Sequence, residues 1–333
     1  MFWKIISFIS RCRLENVMAF GVSLALLVFF GGEEFFRSLR FGPHDYIFIL
    51  LPAGILGVKY LLHLLFSRDA DDKENLDPAS QLVSFFQPLL KIVHDWFPFL
   101  LLSACYYSLY GNLILRINPH TADATLAKID ASILGNQPSI LLQPYITPLT
   151  TDFFSLVYFS YVLSLPLVAL GFYLARNENA FRRVMMGYLT LMLMGLVSYL
   201  VVPAIGPESQ FADQYTRDLM GRNFSRSVEY IIDVGRVGHD CFPSLHVGIP
   251  FLLALYLRSY YKKLFIPCLV YVALMAAATI YLRYHYLIDV LAAFVYAPVA
   301  YWLNDFLLAK WPGEKIPVNS KPVNENPAPA KPC

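Results

Sequence analysis

Residues able to move protons and to bind phosphate gather in three short stretches of the chain: YLVVPAIGPE (Tyr199 to Glu208), GHDCFPSLHVG (Gly238 to Gly248) and YLRYHYLIDV (Tyr281 to Val290). In the third, His285 and Asp289 are four residues apart. On a helix they share a face, and the carboxylate can fix the tautomer of the imidazole. An imidazole held at one nitrogen presents the other as a nucleophile. His246, in the second stretch, supplies another imidazole able to protonate a departing oxygen. Two histidines with separated roles suit phosphoryl transfer through a phosphohistidine. Plainer readings stand beside this one. A His-x-x-x-Asp at a helix end also serves as a cap or packing pair, and Ser244 after Pro243 also serves as a helix N-cap. Intramembrane His and Asp also bind or relay protons in transporters and scaffolds. His239, beside Asp240, is close enough in sequence to be a further candidate. His44, His63, His94 and His120 fall outside the three stretches and read as surface or packing residues.

The elements that must carry these stretches follow from composition. The 333 residues are 57% hydrophobic and 15% charged, with mean hydropathy +0.51, far more apolar than a soluble domain. A bilayer-spanning helix needs about 20 apolar residues. The chain offers about eight such runs, near 16–31, 45–67, 97–115, 153–175, 184–203, 243–258, 264–281 and 286–308. The expected fold is therefore an all-α, polytopic transmembrane bundle. The sixth run is short and holds Pro250. The basic N-terminus ahead of the first run imitates a secretory signal, but no small-x-small cleavage site follows, and a retained helix is expected. Segment 69–96 opens acidic and turns amphipathic, which predicts a loop leading into a surface helix. Segment 118–150 is too polar and broken to span, and Trp311 to Cys333 reads as a disordered tail.

Lys and Arg near helix ends divide sixteen to nine between the two sides. That bias puts both termini in the cytoplasm and the loops after the first, third, fifth and seventh helices in the periplasm or lumen. The fifth helix ends at the first stretch, the sixth begins at the second, and the seventh returns to the third. Topology alone brings all three to the non-cytoplasmic face. A net charge of only +2, with scattered basic residues, excludes a nucleic-acid footprint. Five cysteines without a CxxC pair indicate neither a zinc site nor a disulfide framework, and read as packing residues. The three stretches hold no acidic cluster of the kind magnesium takes, so no metal and no cofactor is expected.

FPSLH, followed about forty residues later by HYLID, resembles the second and third signature motifs of the type 2 phosphatidic acid phosphatase superfamily. More narrowly it resembles the inositol phosphorylceramide synthase-like branch, in which Pro-Ser-Leu-His and Tyr-Leu-x-x-His-Tyr-x-x-Asp recur. The likeness covers roughly residues 95 to 308 and implies His285 as nucleophile, Asp289 as its orienting partner and His246 as general acid. The superfamily's phosphatases usually carry Lys-x6-Arg-Pro as a first motif, where this chain has the segment Pro203 to Pro207. They also carry an arginine six residues before the nucleophile, where this chain has Thr279. Developing negative charge still needs donors. Candidates are Arg283 and the loop arginines Arg217, Arg222, Arg226 and Arg236, with Arg236 nearest His246 in sequence. Each loop arginine reads equally as a solvated, headgroup-facing side chain.

These readings imply a lipid phosphotransferase that moves a phospho-head-group from a phospholipid donor to a lipid alcohol. A lipid phosphate phosphatase, with water as acceptor, is the close alternative. The expected organisation is a two-helix region at 1–94, a phosphotransferase-like membrane core at 95–308 and a cytoplasmic tail at 309–333.

Overall fold

The structure is a computed structural model and describes residues 12–30, 78–222, 224–235 and 238–311, together with 54, 57 and 58. Among the described residues the chain is all-α, with one isolated bridge between Ala204 and Asp240. The helices longer than four residues are α1 (Leu14–Phe30), α2 (Pro78–Ile117), α3 (Asp123–Leu134), α4 (Pro148–Leu174), α5 (Glu178–Val201), α6 (Ser225–Gly235), α7 (Leu245–Tyr260), α8 (Lys262–Tyr281) and α9 (Leu287–Lys310). Four of these, α4, α5, α8 and α9, are long and apolar enough to cross a bilayer, and α1 and α7 are shorter apolar helices. The protein is an integral membrane helical bundle. The expected span at 45–67 apart from residues 54, 57 and 58, the acidic opening of segment 69–96, Arg236 and the tail beyond Trp311 lie outside the described residues.

Local chemistry sets several boundaries. Thr147 accepts from Thr150 N at 3.2 Å and donates its own N–H to Thr150 Oγ1 at 3.0 Å, with Pro148 at the first helical position. This reciprocal cap starts α4 five residues before the apolar run predicted at 153. Asn177 Oδ1 caps α5 at Ala180 N, 3.1 Å away, and so draws Glu178 to Arg183 into a helix predicted to begin at 184. The expected surface helix before residue 96 and the span at 97–115 are one continuous helix, α2. Within the non-spanning segment 118–150 lies α3, which hydropathy alone did not separate from its loops.

The central helix is α5, buried almost without interruption from Ala180 to Met192. Around it α2, α4, α7 and α9 contribute Trp96, Phe99, Leu165, Phe172, Leu252, Tyr256 and Ala297 to one apolar cluster. At the end away from the three motif stretches this core is tied by buried charge pairs. Arg182 Nε donates to Glu15 at 2.8 Å, joining α5 to α1. Arg183 Nη2 donates to Asp305 at 2.6 Å and Nη1 to Tyr260 at 3.0 Å, joining α5 to α9 and α7. Breaking such a pair strands a buried charge and costs several kcal/mol, on the order of 3–5. These two arginines therefore lock helices together, whereas the sequence suggested a loop.

Candidate active site

The ends of α5 and α8 and the starts of α7 and α9 meet at one end of the bundle, and the three motif stretches meet with them. Cys241 N donates to Ala204 O at 3.2 Å, Glu208 N to Arg283 O at 2.9 Å, and Ser244 N to Asp289 O at 3.1 Å. Gly206 is required at its position. Its φ is +112°, and an added Cβ would lie 2.8 Å from the Tyr284 carbonyl oxygen. That approach lays the Pro203 to Pro207 segment against the third motif.

The ionisable side chains form a line. Asp289 Oδ2 lies 3.4 Å from His285 Nδ1, and His285 Nε2 lies 3.3 Å from His246 Nδ1. His246 Nε2 lies 2.9 Å from the Tyr158 hydroxyl, with the two rings stacked at 4.6 Å. With both imidazoles neutral, these three contacts are satisfied by Tyr158 Oη–H to His246 Nε2, His246 Nδ1–H to His285 Nε2, and His285 Nδ1–H to Asp289. It leaves a lone pair on His285 Nε2, the atom facing the other imidazole. The capping alternative for Asp289 also holds. Its Oδ2 accepts Tyr286 N at 2.8 Å at the start of α9, so one carboxylate both begins the helix and faces the histidine.

Cys241 is closer to this line than a packing residue would be. Its Sγ donates to Asp289 Oδ2 at 2.9 Å. Burial, the nearby Asp289 charge and that hydrogen bond hold the thiol well above its usual range, so it keeps its proton as the donor. Cys241 Sγ, His285 Nδ1 and Asp289 Oδ2 lie within 4.8 Å of one another and have the donor types a soft divalent ion takes. An ion there would displace the Asp289 contact from His285.

Arg283 ends α8 in an unusual way. Its N–H bonds Ile280 O at 3.1 Å and the next N–H, of Tyr284, bonds Thr279 O at 3.0 Å, the paired closure that usually places glycine at this position. Arg283 has φ +67°. Its guanidinium stacks 3.8 Å above the Tyr215 ring and donates to Arg217 O, while Nε is buried without a partner. Burial lowers its pKa from the usual guanidinium value. Two other motif atoms, Ser244 Oγ and Asp289 Oδ1, are also buried with no partner. Ser244 thus occupies the N-cap position of α7 without making a side-chain cap bond.

The other candidates are placed differently. His239 is half-buried with φ +63°, and its carbonyl, not its ring, bonds Ala204 N. Pro207 is buried and accepts from the Tyr215 hydroxyl through its carbonyl. Arg217, Arg222 and Arg226 are exposed. Thr279 is fully buried, and its hydroxyl bonds Ala276 O within its own helix.

Two aspartates of α3 clamp this end from outside. Asp130 accepts Leu287 N at 2.7 Å, Ile288 N at 2.9 Å and Gln137 Nε2 at 3.1 Å, capping α9 from a distant part of the chain. Burial holds its carboxyl above the ordinary range against the pull of those three donors. Asp123 accepts Gly206 N at 2.9 Å, Ile205 N at 3.1 Å and Tyr286 Oη at 2.9 Å. Seven residues apart on a helix, the two share a face. That spacing was readable in the sequence, but nothing there tied it to the N–H groups of α9.

The spanning helices define an integral membrane protein, with paired histidines and a carboxylate gathered at one end. A family model described as PAP2 superfamily matches residues 124–303, and the chain belongs to that superfamily, whose members are phosphatases or phosphotransferases. A membrane-embedded member acts on lipid substrates. This sets aside the transporter and scaffold reading. No curated protein and no solved structure matches the chain.

Proposed function

We propose that the protein is a lipid phosphotransferase of the inositol phosphorylceramide synthase-like kind, working through a phosphohistidine on His285. The observation that carries this reading is the continuous line Asp289–His285–His246–Tyr158, with contacts of 3.4, 3.3 and 2.9 Å. Substrate phosphate enters between the two imidazoles. His285 Nε2 attacks phosphorus, and the bond from phosphorus to the first alcohol oxygen breaks. His246, after gaining a solvent proton at Nε2 so that Tyr158 Oη turns to accept from it, is an imidazolium and gives that oxygen its Nδ1 proton. Asp289 stays ionised and holds His285 Nδ1–H, stabilising the charge that develops on the ring. A lipid alcohol then loses its proton to His246 Nδ1 and attacks phosphorus, and the P–N bond breaks.

Arg283 and Ser244 are assigned to the phosphate oxygens, supported by their buried, partnerless Nε and Oγ beside the histidines in sequence. His239, Pro207 and Arg236 remain assigned to the substrate-binding loops, with no direct part in proton transfer. The transferase reading over the phosphatase one is supported by Thr279 and the Pro203 to Pro207 segment, which leave out arginine and lysine donors that a dianionic monoester needs. A diester carries one fewer charge. Residues 95–308 form the enzymatic core, 1–94 an accessory region and 309–333 a cytoplasmic tail, with the site facing the periplasm or lumen.

The test is a paired assay in detergent. Purified protein receives a labelled phospholipid diester with a lipid alcohol, or a lipid phosphomonoester alone. Transfer of the phospho-head-group is expected to outrun phosphate release. Rapid phosphate release with no transfer product across several donors and alcohols would favour the phosphatase.

A further inference from the structure

A groove of about 540 Å³ opens where α7, α8 and α9 meet near the turn between α7 and α8. It lies at the end of the bundle away from the histidines. Lys262 begins α8 and Tyr281 ends it, so the two ends of that 20-residue helix are separated by about 30 Å. Two cations stand at the groove, Arg258 and Lys262, both exposed. The Arg258 guanidinium lies 5.2 Å from the centre of the Phe265 ring. Across from it, Ser259 and Tyr301 share a hydroxyl hydrogen bond of 2.9 Å, and Trp302, 68% exposed, forms an aromatic wall.

The charge at this end is unevenly compensated. Arg13 and Lys91 share Asp95, Arg182 holds Glu15 and Arg183 holds Asp305. Among the described residues, Arg258 and Lys262 have no carboxylate partner, and no Asp or Glu lines the groove. Two uncompensated cations, two hydroxyls and aromatic walls at the boundary between headgroup and hydrocarbon fit a phosphodiester with an acyl chain below it. A volume of this size admits a headgroup phosphate with its glycerol.

We propose that this groove is a binding site for an anionic phospholipid, distinct from the catalytic end, in which Arg258 and Lys262 hold the headgroup phosphate and Phe265 and Trp302 flank the chain. On the orientation proposed above it faces the cytoplasmic leaflet, where anionic lipid is concentrated. The site does not depend on the reaction at the histidines, and its test needs no turnover.

The experiment is native mass spectrometry of the full chain in detergent, titrated separately with phosphatidylglycerol, phosphatidylcholine and inorganic phosphate. Wild type is expected to bind phosphatidylglycerol more tightly than phosphatidylcholine. R258Q/K262Q is expected to lose that affinity by on the order of tenfold while keeping its phosphatidylcholine binding. The charge-preserving R258K/K262R is expected to retain it, which separates lost charge from lost fold. Equal binding of the two lipids by wild type, undiminished phosphatidylglycerol binding by R258Q/K262Q, or equal losses in both double variants would overturn the proposal. So would inorganic phosphate binding as tightly as the lipid with the same loss in R258Q/K262Q, since the site would then recognise free phosphate.

Discussion

Arg283 stands where a helix end usually takes glycine, and it holds φ +67° there. A side chain in that conformation costs roughly 1–2 kcal/mol, which the stack of the buried guanidinium on Tyr215 offsets at about 2 kcal/mol. The Tyr215 stack thus accounts for the backbone strain, and the buried Nε without a partner, two positions from the proposed nucleophile, is what points to a phosphate role. Arg283→Gly relieves the backbone strain but removes the Tyr215 stack and the bond to Arg217 O along with the donor, so its effects on stability oppose one another. Melting in detergent is expected to change little, and turnover to fall on the order of 10²-fold, as for loss of one preorganised donor. Normal turnover in that variant would remove Arg283 from the phosphate site. At this scale the sequence was informative about residue type and spacing: His246 behind Pro-Ser-Leu, and Asp289 four residues after His285, although His285 lies just before α9 and meets Asp289 from outside the helix, not along a shared helical face. It was silent on Cys241 and Tyr158, because a thiol donating to a carboxylate and a phenol stacked on an imidazole depend on contacts between residues 48 and 88 positions apart.

At the scale of elements, precision at the site comes from α3, which spans no membrane. Its Asp130 satisfies two N–H groups at the start of α9, a service the chain before Leu287 does not itself provide. Asp289 lies within the first turn of the helix so fixed, and His285 just before it. Asp130→Ala leaves those N–H groups unsatisfied, at a cost of about 1–3 kcal/mol. It is expected to lower the melting temperature and kcat together with little change in KM, whereas Asp130→Asn, which keeps one acceptor oxygen, should lose less. A rise in KM at constant kcat would instead put Asp130 in contact with substrate. Helix boundaries were the least legible feature. The apolar runs gave α4 and α5 their centres, but Thr147 and Asn177 set their starts through cap bonds that hydropathy does not register. In α3, two buried aspartates on a short polar helix look in sequence like a broken loop.

Across the whole molecule, membrane class, the all-α fold and the gathering of three motifs at one end were all readable, because apolar length and alternating topology are one-dimensional properties. The charge pattern was readable only in part, since Arg182 and Arg183 counted as loop cations but are buried in ion pairs. Their side of the bundle is unchanged, so the proposed orientation stands on the remaining bias. It can be checked with single cysteines in an otherwise cysteine-free protein, Met220→Cys in the motif-side loop and Lys263→Cys at the opposite end. In right-side-out vesicles an impermeant maleimide is expected to label the first and not the second; the reverse pattern would invert the orientation. The central claim, that His285 Nε2 carries the phospho-group, is tested most directly by trapping. Protein incubated with a phospholipid donor and no acceptor, quenched under alkaline denaturing conditions and digested, is analysed by peptide mass spectrometry for a histidine carrying the donor's phospho-head-group. The expected result is that adduct on His285, disappearing when a lipid alcohol is added before the quench, diminished in Asp289→Asn and absent in His285→Ala, which should also be inactive though folded. Continued turnover by His285→Ala, or an active wild type that never carries the phospho-head-group on His285, would contradict the account.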